Sequence, residues 1–188
     1  VDEIVVLDID ASRLQQEPNY ELIAEMAGEA FMPLAYGGGI RTIDQVRKLI
    51  RSGIEKVVIN TAATESTDLI RAVADIYGSQ AVVGAVDVKK TLFGGYRVVT
   101  KSATVDSGLD LYAHLQHLIA AGVGEIFINS VDRDGVMAGY DIPLIRSVTQ
   151  KVNVPVVACG GAGTVEHLSQ GVNEGGASAV AAGSMFVF

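Results

Sequence analysis

The chain has 188 residues, 49% of them hydrophobic, which is enough for a single compact domain with a sizeable core. Its net charge of −8 at pH 7 argues against binding to nucleic acid or to an anionic membrane surface through bulk electrostatics. The single cysteine excludes an intramolecular disulfide, and no apolar run approaches the roughly 20 residues of a membrane span, so a cytoplasmic protein without a membrane segment is expected.

Short β-branched runs alternate with amphipathic stretches along the chain, which is typical of βαβ units around a parallel sheet. The predicted strands are, in chain order, residues 4–9, 33–36, 56–59, 81–86, 125–129, 154–158 and 179–182. The predicted helices are residues 19–29, 43–52, 66–77, 109–121, 141–150 and 164–172, with Thr164 as an N-cap of the last one.

The first third of the chain is repeated in its last third at a constant offset of 122 positions. Residues 1–66 align with residues 123–188 without a gap. Matching pairs include Glu3 with Glu125, Pro33 with Pro155, Gly38 with Gly160 and Thr42 with Thr164. The repeat is too long for a solenoid unit and is about half of the roughly 250 residues of a (β/α)8 barrel. The sequence therefore predicts an α/β TIM barrel, one domain over residues 1–188, built from two half-barrel repeats.

The offset also predicts which parts of a complete barrel are missing. The strand that ends at Asp87 has no counterpart 122 positions earlier, because that position lies before Val1. One more strand upstream and a final helix after Phe188 would complete eight units. Seven strands cannot close such a barrel with every backbone group paired, so a barrel lacking the first strand and the last helix is expected.

Glycine-rich turns follow two pairs of predicted strands, at the end of the barrel where active sites lie. The first half places Gly39, Asn60 and Thr61 there, and the second half repeats the arrangement with Gly161, Gly183 and Ser184. Backbone N–H groups in such turns and at helix starts can bind phosphate. Two matching turns favour a substrate with a phosphate at each end, whereas the alternative is that the glycines only make tight turns.

Carboxylates at strand ends are the candidates for acid/base chemistry, because burial at a barrel mouth can tune their pKa. Asp8 and Asp10 end the first strand, and Asp132 and Asp134 follow the fifth. Asp132 is also consistent with a capped turn. Asp87 is the strongest candidate, since its partner in the repeat would fall on the missing strand.

Charged residues also begin three strands at the opposite end of the barrel. Glu3, Lys56 and Glu125 occupy these positions, where charges are more often stability features than functional groups. The histidines show no metal-ligand spacing, and His114 and His117 are expected on a solvated helix face. No metal site and no cofactor are predicted.

Several of these motifs together resemble the cyclase subunit of imidazole glycerol phosphate synthase, from the histidine-biosynthesis barrel family. The motifs are residues 7–12, 37–40, 59–63, 78–83, 132–135, 139–141 and 160–163, and they span essentially the whole chain. The sister isomerase of the same pathway shares the fold and a two-phosphate substrate, but residues 59–63 and 139–141 are more similar to the cyclase.

The resemblance implies that ammonia from a glutaminase partner enters at the barrel bottom and meets a bis-phosphate ribulosyl-formimino intermediate at the top. It assigns an acid/base role to Asp87 and places Asp134 at the same mouth. The phosphate and substrate positions it implies are Gly39, Asn60, Thr61, Ser102, Gly135, Gly161, Gly183 and Ser184. Glu3, Lys56 and Glu125 match the charged gate for ammonia. The family's first catalytic aspartate would lie on the missing strand, so this chain alone is not expected to turn over.

Two other interpretations remain open. Residues 102–108 lack the lysines usual in the biosynthetic family, and together with residues 13–21 and 181–188 they resemble a paralogous branch. Members of that branch accompany a glutaminase in making amidino-modified sugars for bacterial surface polysaccharide. The third interpretation is a non-catalytic half-barrel module that only docks a glutaminase or a second copy of itself.

Overall fold

A computed structural model describes residues 1–92 and 94–187, apart from the side chains of residues 12 and 13. Its strands are β1 Ile4–Leu7, β2 Leu34–Gly37, β3 Lys56–Ile59, β4 Val82–Lys90, β5 Tyr96–Thr100, β6 Val105–Asp106, β7 Glu125–Ser130, β8 Val156–Cys159 and β9 Ala179–Val180. Its helices are α1 Ile9–Leu14, α2 Tyr20–Glu29, α3 Ile43–Arg51, α4 Thr61–Glu65, α5 Asp68–Tyr77, α6 Leu111–Ala121, α7 Ile142–Thr149, α8 Val165–Asn173 and α9 Ser184–Val187, with a 3₁₀ turn at Ser79–Ala81. Phe188 and the Arg13 side chain, both in segments that resemble the paralogous branch, lie outside this description.

The strands form one sheet in the order β1-β2-β3-β4-β7-β8-β9, and every pair along this path is parallel. β5 and β6 form an antiparallel hairpin on the upper end of β4. Within the described part of the chain, β1 and β9 each pair with one neighbour only. This is the α/β architecture of an incomplete TIM barrel, as predicted. No helix in the described ranges is long and apolar enough to cross a membrane.

The sequence repeat has the same backbone arrangement in both halves. β1 pairs with β2 through Ile4 and Leu34, and β7 pairs with β8 through Ile126 and Val156, which is the same register at the offset. The following helices also start alike. Thr42 accepts a hydrogen bond from the Gln45 N–H at 3.3 Å, and Thr164 accepts one from the His167 N–H at 3.3 Å. The repeat therefore reports a duplicated structural unit.

The strands divide their side chains between two apolar clusters. Alternate strand residues such as Val57, Ile126 and Ile128 pack outward with helix residues such as Leu49 and Leu118. The other alternation points into the barrel, where Ala35, Val58, Val83, Ala85 and Phe127 form a separate cluster, with Val5, Val157, Cys159 and Ala181 packed against it. Because side chains alternate along a strand, the same rows continue to the polar ends of the barrel.

Five elements of the structure were not predicted from the sequence, namely α1, α4, α9 and the two strands β5 and β6. β1 ends at Leu7 rather than Ile9, because the Asp8 carboxylate accepts the N–H groups of Asp10 and Ala11 and caps α1. The hairpin β5–β6 and the short helices α4 and α9 were also missed. α9 begins one position after the offset equivalent of α4, so the short helix is part of the repeat.

The solvated helix face predicted for the histidines is wrong for one of them. His114 is only 3% exposed and lies on the inner side of α6, whereas His117 is exposed. Burial lowers the pKa of His114, and the nearby His117 lowers it further. His114 is therefore a neutral core residue at physiological pH.

Candidate functional site

The inward-facing side chains form a column that is charged at the bottom, apolar in the middle and polar at the top. Glu3, Lys56 and Glu125 precede the apolar cluster on β1, β3 and β7. Two residues beyond that cluster, the inward rows of β4 and β7 carry Asp87 and Asn129, and the β4 row continues to Lys89. Parallel strands bring their carboxyl ends to one edge, so these polar side chains meet at the barrel mouth.

Asp87 lies between two side-chain amides at this mouth. The Asn60 Nδ2 donates to its Oδ2 at 2.8 Å, and the Asn129 Nδ2 donates to its Oδ1 at 2.9 Å. Burial raises the pKa of Asp87, the two amide hydrogen bonds oppose that rise, and the charge of Asp134 adds to it. The site thus holds a desolvated carboxylate with one donor on each oxygen, which suits a group that exchanges a proton.

The loop after β7 supplies Asp134 and Gly135, and both are exposed at the same mouth. The neighbouring Asp132 has a structural contact instead, since its Oδ2 accepts the backbone N–H of Lys90 at 2.7 Å. Arg133 donates to the carbonyls of Ala138 and Gly139. The sequence alternative of a capped turn therefore fits Asp132, while Asp134 is the carboxylate whose charge acts on Asp87.

The glycine turns lie in the two predicted pairs, because β2 pairs with β3 and β8 pairs with β9. Their backbone is tightly packed against neighbouring loops. A Cβ at Gly38 would lie 2.5 Å from the Asp8 carbonyl oxygen, and one at Gly160 would lie 2.5 Å from that of Ser130. Both glycines also have positive φ. Tight packing alone therefore requires glycine here, and phosphate binding remains a prediction.

The remaining phosphate positions differ in how open they are. A Cβ at Gly39 would meet the Gln16 carbonyl oxygen, and one at Gly161 would meet that of Gly139, whereas Gly135 and Gly183 have open space around them. The Ser184 backbone begins α9. The side-chain amide of Asn60 donates to Asp87, and its phosphate role remains a prediction.

A loop between β5 and β6 lies over the mouth and joins two other βα loops. Ser102 donates its hydroxyl to the Ile9 carbonyl at 2.8 Å, and the Lys101 N–H donates to the Thr61 hydroxyl at 3.4 Å. Lys89 reaches the Ala103 carbonyl from below at 3.2 Å. The loop holds positive φ at Lys101, Ser102 and Ala103. Ser102 and Thr61 therefore already bond within the protein, and a ligand would compete for them.

At the opposite end the three predicted charges form one cluster. The Lys56 Nζ is 2.6 Å from the Glu3 Oε2 and 3.5 Å from the Glu125 Oε2, with all three side chains about one-quarter exposed. Burial lowers the pKa of Lys56, but the Glu3 hydrogen bond and the two carboxylate charges outweigh it and the pKa is raised. Burial raises the pKa of Glu125, and Lys56 partly opposes this rise. Ser178, at the offset position of Lys56, accepts the Val156 N–H.

Asn129 is the residue at the mouth that the sequence analysis missed. It lies opposite Asp87 in the β4–β7 register, so the pairing of these strands would have identified it. Its Oδ1 and that of Asn60 are buried without a hydrogen-bond partner. Asparagine has no titratable group, and nothing in its local spacing separates it from a strand-end turn residue.

Comparison with known proteins identifies the family of this chain. A family model described as "Histidine biosynthesis protein" matches residues 1–188. A Pseudomonas aeruginosa protein, provisionally named imidazole glycerol phosphate synthase subunit hisF2, is 54% identical over 188 residues, which cover 100% of this chain and 75% of that protein. The imidazole glycerol phosphate synthase subunit HisF of Caulobacter vibrioides is 45% identical over 188 residues, covering 100% of this chain and 72% of its own length. The chain therefore belongs to the histidine biosynthesis protein family.

Proposed function

We propose that the chain forms the cyclase subunit of imidazole glycerol phosphate synthase in histidine biosynthesis. In this role it uses ammonia from a glutaminase partner to convert a bis-phosphate ribulosyl-formimino intermediate into imidazole glycerol phosphate. The observation that carries the proposal is the column through the barrel, with a charged cluster at the bottom and a clamped carboxylate at the top. The names of the two relatives support the same assignment.

In the proposed reaction Asp87 exchanges protons with the reacting nitrogen. Its two amide donors hold both carboxylate oxygens in place, and burial keeps its pKa above that of an exposed aspartate. The acidic pair with Asp134 concentrates negative charge at the mouth, which favours a proton leaving the attacking ammonia. The turns at Gly39 and Gly161 would hold the two phosphates through backbone N–H groups.

At the bottom, the Glu3–Lys56–Glu125 cluster is the proposed entry for ammonia. Its two carboxylates share one ammonium group, so the entrance is closed by hydrogen-bonded charges and opens when Lys56 changes partners. The apolar layer above it would pass neutral ammonia and disfavour an ion, because an unpaired charge is costly in an apolar interior. The glutaminase would dock on this face.

The test is an assay of imidazole product from the full-length protein that contains this chain, supplied with ammonia and the ribulosyl substrate. Product formation that Asp87→Asn abolishes is the expected result. The Glu3→Gln variant is the control, because it changes a carboxylate that bonds Lys56 at the opposite end of the barrel from Asp87, so free ammonia should still support turnover. No product from a folded protein that binds the substrate would refute the proposal.

A second candidate is the paralogous subunit that conducts ammonia to an amidino-sugar acceptor. The loop over the mouth favours it, because residues 102–108 supply no lysine for an anionic substrate and Ser102 is bonded to Ile9. Under this alternative, the protein activates glutamine hydrolysis in its partner but yields no imidazole. Measuring glutamate from glutamine hydrolysis and the imidazole product in the same reaction separates the two functions.

A further inference from the structure

The two amides that contact Asp87 are fixed by the fold. Asn129 faces Asp87 across neighbouring parallel strands, because the two residues are partners in the β4–β7 register. Its Oδ1 is buried without a hydrogen-bond partner and lies against Gly160, where a Cβ would be only 2.9 Å away. Turning the amide around would place that oxygen against the Asp87 carboxylate. Repulsion between the two therefore fixes the Nδ2 as the donor to Asp87.

The internal repeat shows that the amides are additions to the shared backbone. Positions 122 residues from Asn129 and Asn60 hold Leu7 and Ala182, which have no donor side chain. Yet β1–β2 and β7–β8 keep the same strand register. The fold therefore does not need an amide at Asn129. Leaving its carbonyl oxygen buried and unpaired costs stability, which calls for a compensating role in the site.

We propose that Asn129 is a positioning residue for Asp87, whose amide fixes the carboxylate's orientation and favours its ionised form as a proton acceptor. The inference rests on the proposed function of Asp87 as the acid/base group. Asn60 provides the equivalent bond to the other carboxylate oxygen. Together the two donors offset the burial that favours the neutral acid.

The other titratable group that acts on Asp87 is Asp134 from the β7–α7 loop, and the charge of Asp87 acts in turn on Cys159 of β8. Lys89, two residues beyond Asp87 on the same face of β4, donates to the Ala103 carbonyl. Asp134 raises the pKa of Asp87. Burial first, and then the charge of Asp134, raises the pKa of Cys159 to about 12, so this thiol stays neutral. Burial and the charge of Asp134 raise the pKa of Asp87, and without the Asn129 donor only the Asn60 hydrogen bond opposes them. The pKa of Asp87 is therefore expected to rise when Asn129 is replaced by a residue without a donor.

The matched pair Asn129→Thr and Asn129→Val tests this inference, since the two variants differ by a hydroxyl and a methyl group of similar shape. In the full-length protein, the acid limb of the pH–rate profile should move up by about one pH unit in the Asn129→Val variant, with KM nearly unchanged. The Asn129→Thr variant, which keeps a donor, should stay near the wild-type profile. The Asn129→Leu variant replaces Asn129→Val if the latter does not unfold cooperatively.

A second readout does not need activity. Carbon-13 NMR of labelled aspartate carboxyls, with Asp87→Asn to assign the signal, gives the pKa of Asp87 in each variant. A higher pKa in the Asn129→Val variant than in the Asn129→Thr variant supports the inference even if wild-type protein makes no imidazole. Equal Asp87 pKa values in wild type and both variants would overturn it, even if wild-type protein is active.

Discussion

The buried carboxylate of Asp87 makes the stability of the fold depend on pH. This carboxylate is desolvated at the mouth. The hydrogen bonds from two side-chain amides offset the effect of burial only in part, so the pKa of Asp87 is higher in the folded state than in the unfolded chain. The folded protein therefore binds more protons than the unfolded chain between the two pKa values. Stability accordingly falls as pH rises through that window and stays lower above it.

The first prediction concerns this pH dependence. The Asp87→Asn variant should be more stable than wild type at pH 7, on the order of 1 kcal/mol, and should lose the part of the pH dependence that lies just above pH 4. The amide oxygen of the new asparagine can still accept a hydrogen bond from the Asn129 Nδ2. If the Asn60 amide flips, its unpaired Oδ1 can accept a hydrogen bond from the N–H of the new asparagine. Urea unfolding from pH 4 to 8 measures the effect. A variant less stable than wild type at pH 7 would contradict it.

The second prediction concerns the activity of the same variant. Removal of a general acid/base group typically lowers kcat by about 10²–10⁴-fold, and Asp87→Asn should fall in that range with a smaller change in KM. Steady-state kinetics with saturating ammonia measures it. The Asp132→Asn variant is the control, since Asp132 only accepts the Lys90 N–H and its amide oxygen can still do so. Equal losses in the two variants would argue against an acid/base role.

At the scale of elements, the parallel strands were predictable because each is a short β-branched run between amphipathic helices. The hairpin β5–β6 was missed, since Tyr96–Thr100 belongs to the loop after β4 rather than to a βα unit and nothing in the repeat marks it. α1 was missed for a different reason. Ile9 continues the apolar run of β1, and only the cap geometry at Asp8 ends the strand.

The candidate site was also predictable only in part. Asp87 and the Glu3–Lys56–Glu125 cluster could be found because charge at a strand end is visible in the sequence. Asn129 could not, because its role depends on strand register. The bonds from Ser102 to Ile9 and from Lys101 to Thr61 depend on how a loop folds across the mouth, which local patterns do not encode.

The third prediction tests the strand-to-helix turns. Gly38→Ala and Gly160→Ala should each lower the free energy of unfolding by about 2–4 kcal/mol, because a Cβ would collide with a backbone carbonyl oxygen and φ is positive. Gly28→Ala in α2 is the control with the opposite sign. It has open space and should stabilise the protein by about 0.5–1 kcal/mol. Chemical denaturation measures all three, and a neutral Gly160→Ala variant would refute the close approach.

At the scale of the whole molecule, the two ends of the barrel are chemically separate. The charged cluster at the bottom and Asp87 at the top are joined only through the apolar layer around Val58 and Phe127. A change at one end should therefore leave the chemistry at the other end intact, unless the fold itself is lost.

The fourth prediction uses this separation. The Lys56→Met variant should lose several-fold in glutamine-dependent activity, because Glu3 and Glu125 are left as unpaired carboxylates and the proposed entrance loses the shared ammonium group that opens and closes it. Activity with added ammonia should change by less than about threefold, as expected for a site remote from the chemistry. Parallel assays with glutamine and with ammonium salt give the two rates. A similar drop in both would assign Lys56 to general stability instead.

The inward-facing layer combines very small and large side chains. Protein interiors are usually filled as tightly as organic crystals, and each unfilled methylene group weakens the fold. Ala35 and Ala85 contribute very little volume to this layer, while Phe127 fills much of it. Side-chain volume at these positions sets the free space along the axis, so larger residues at the two alanines would block any route there. Density and permeability thus compete for the same few cubic ångströms inside this barrel.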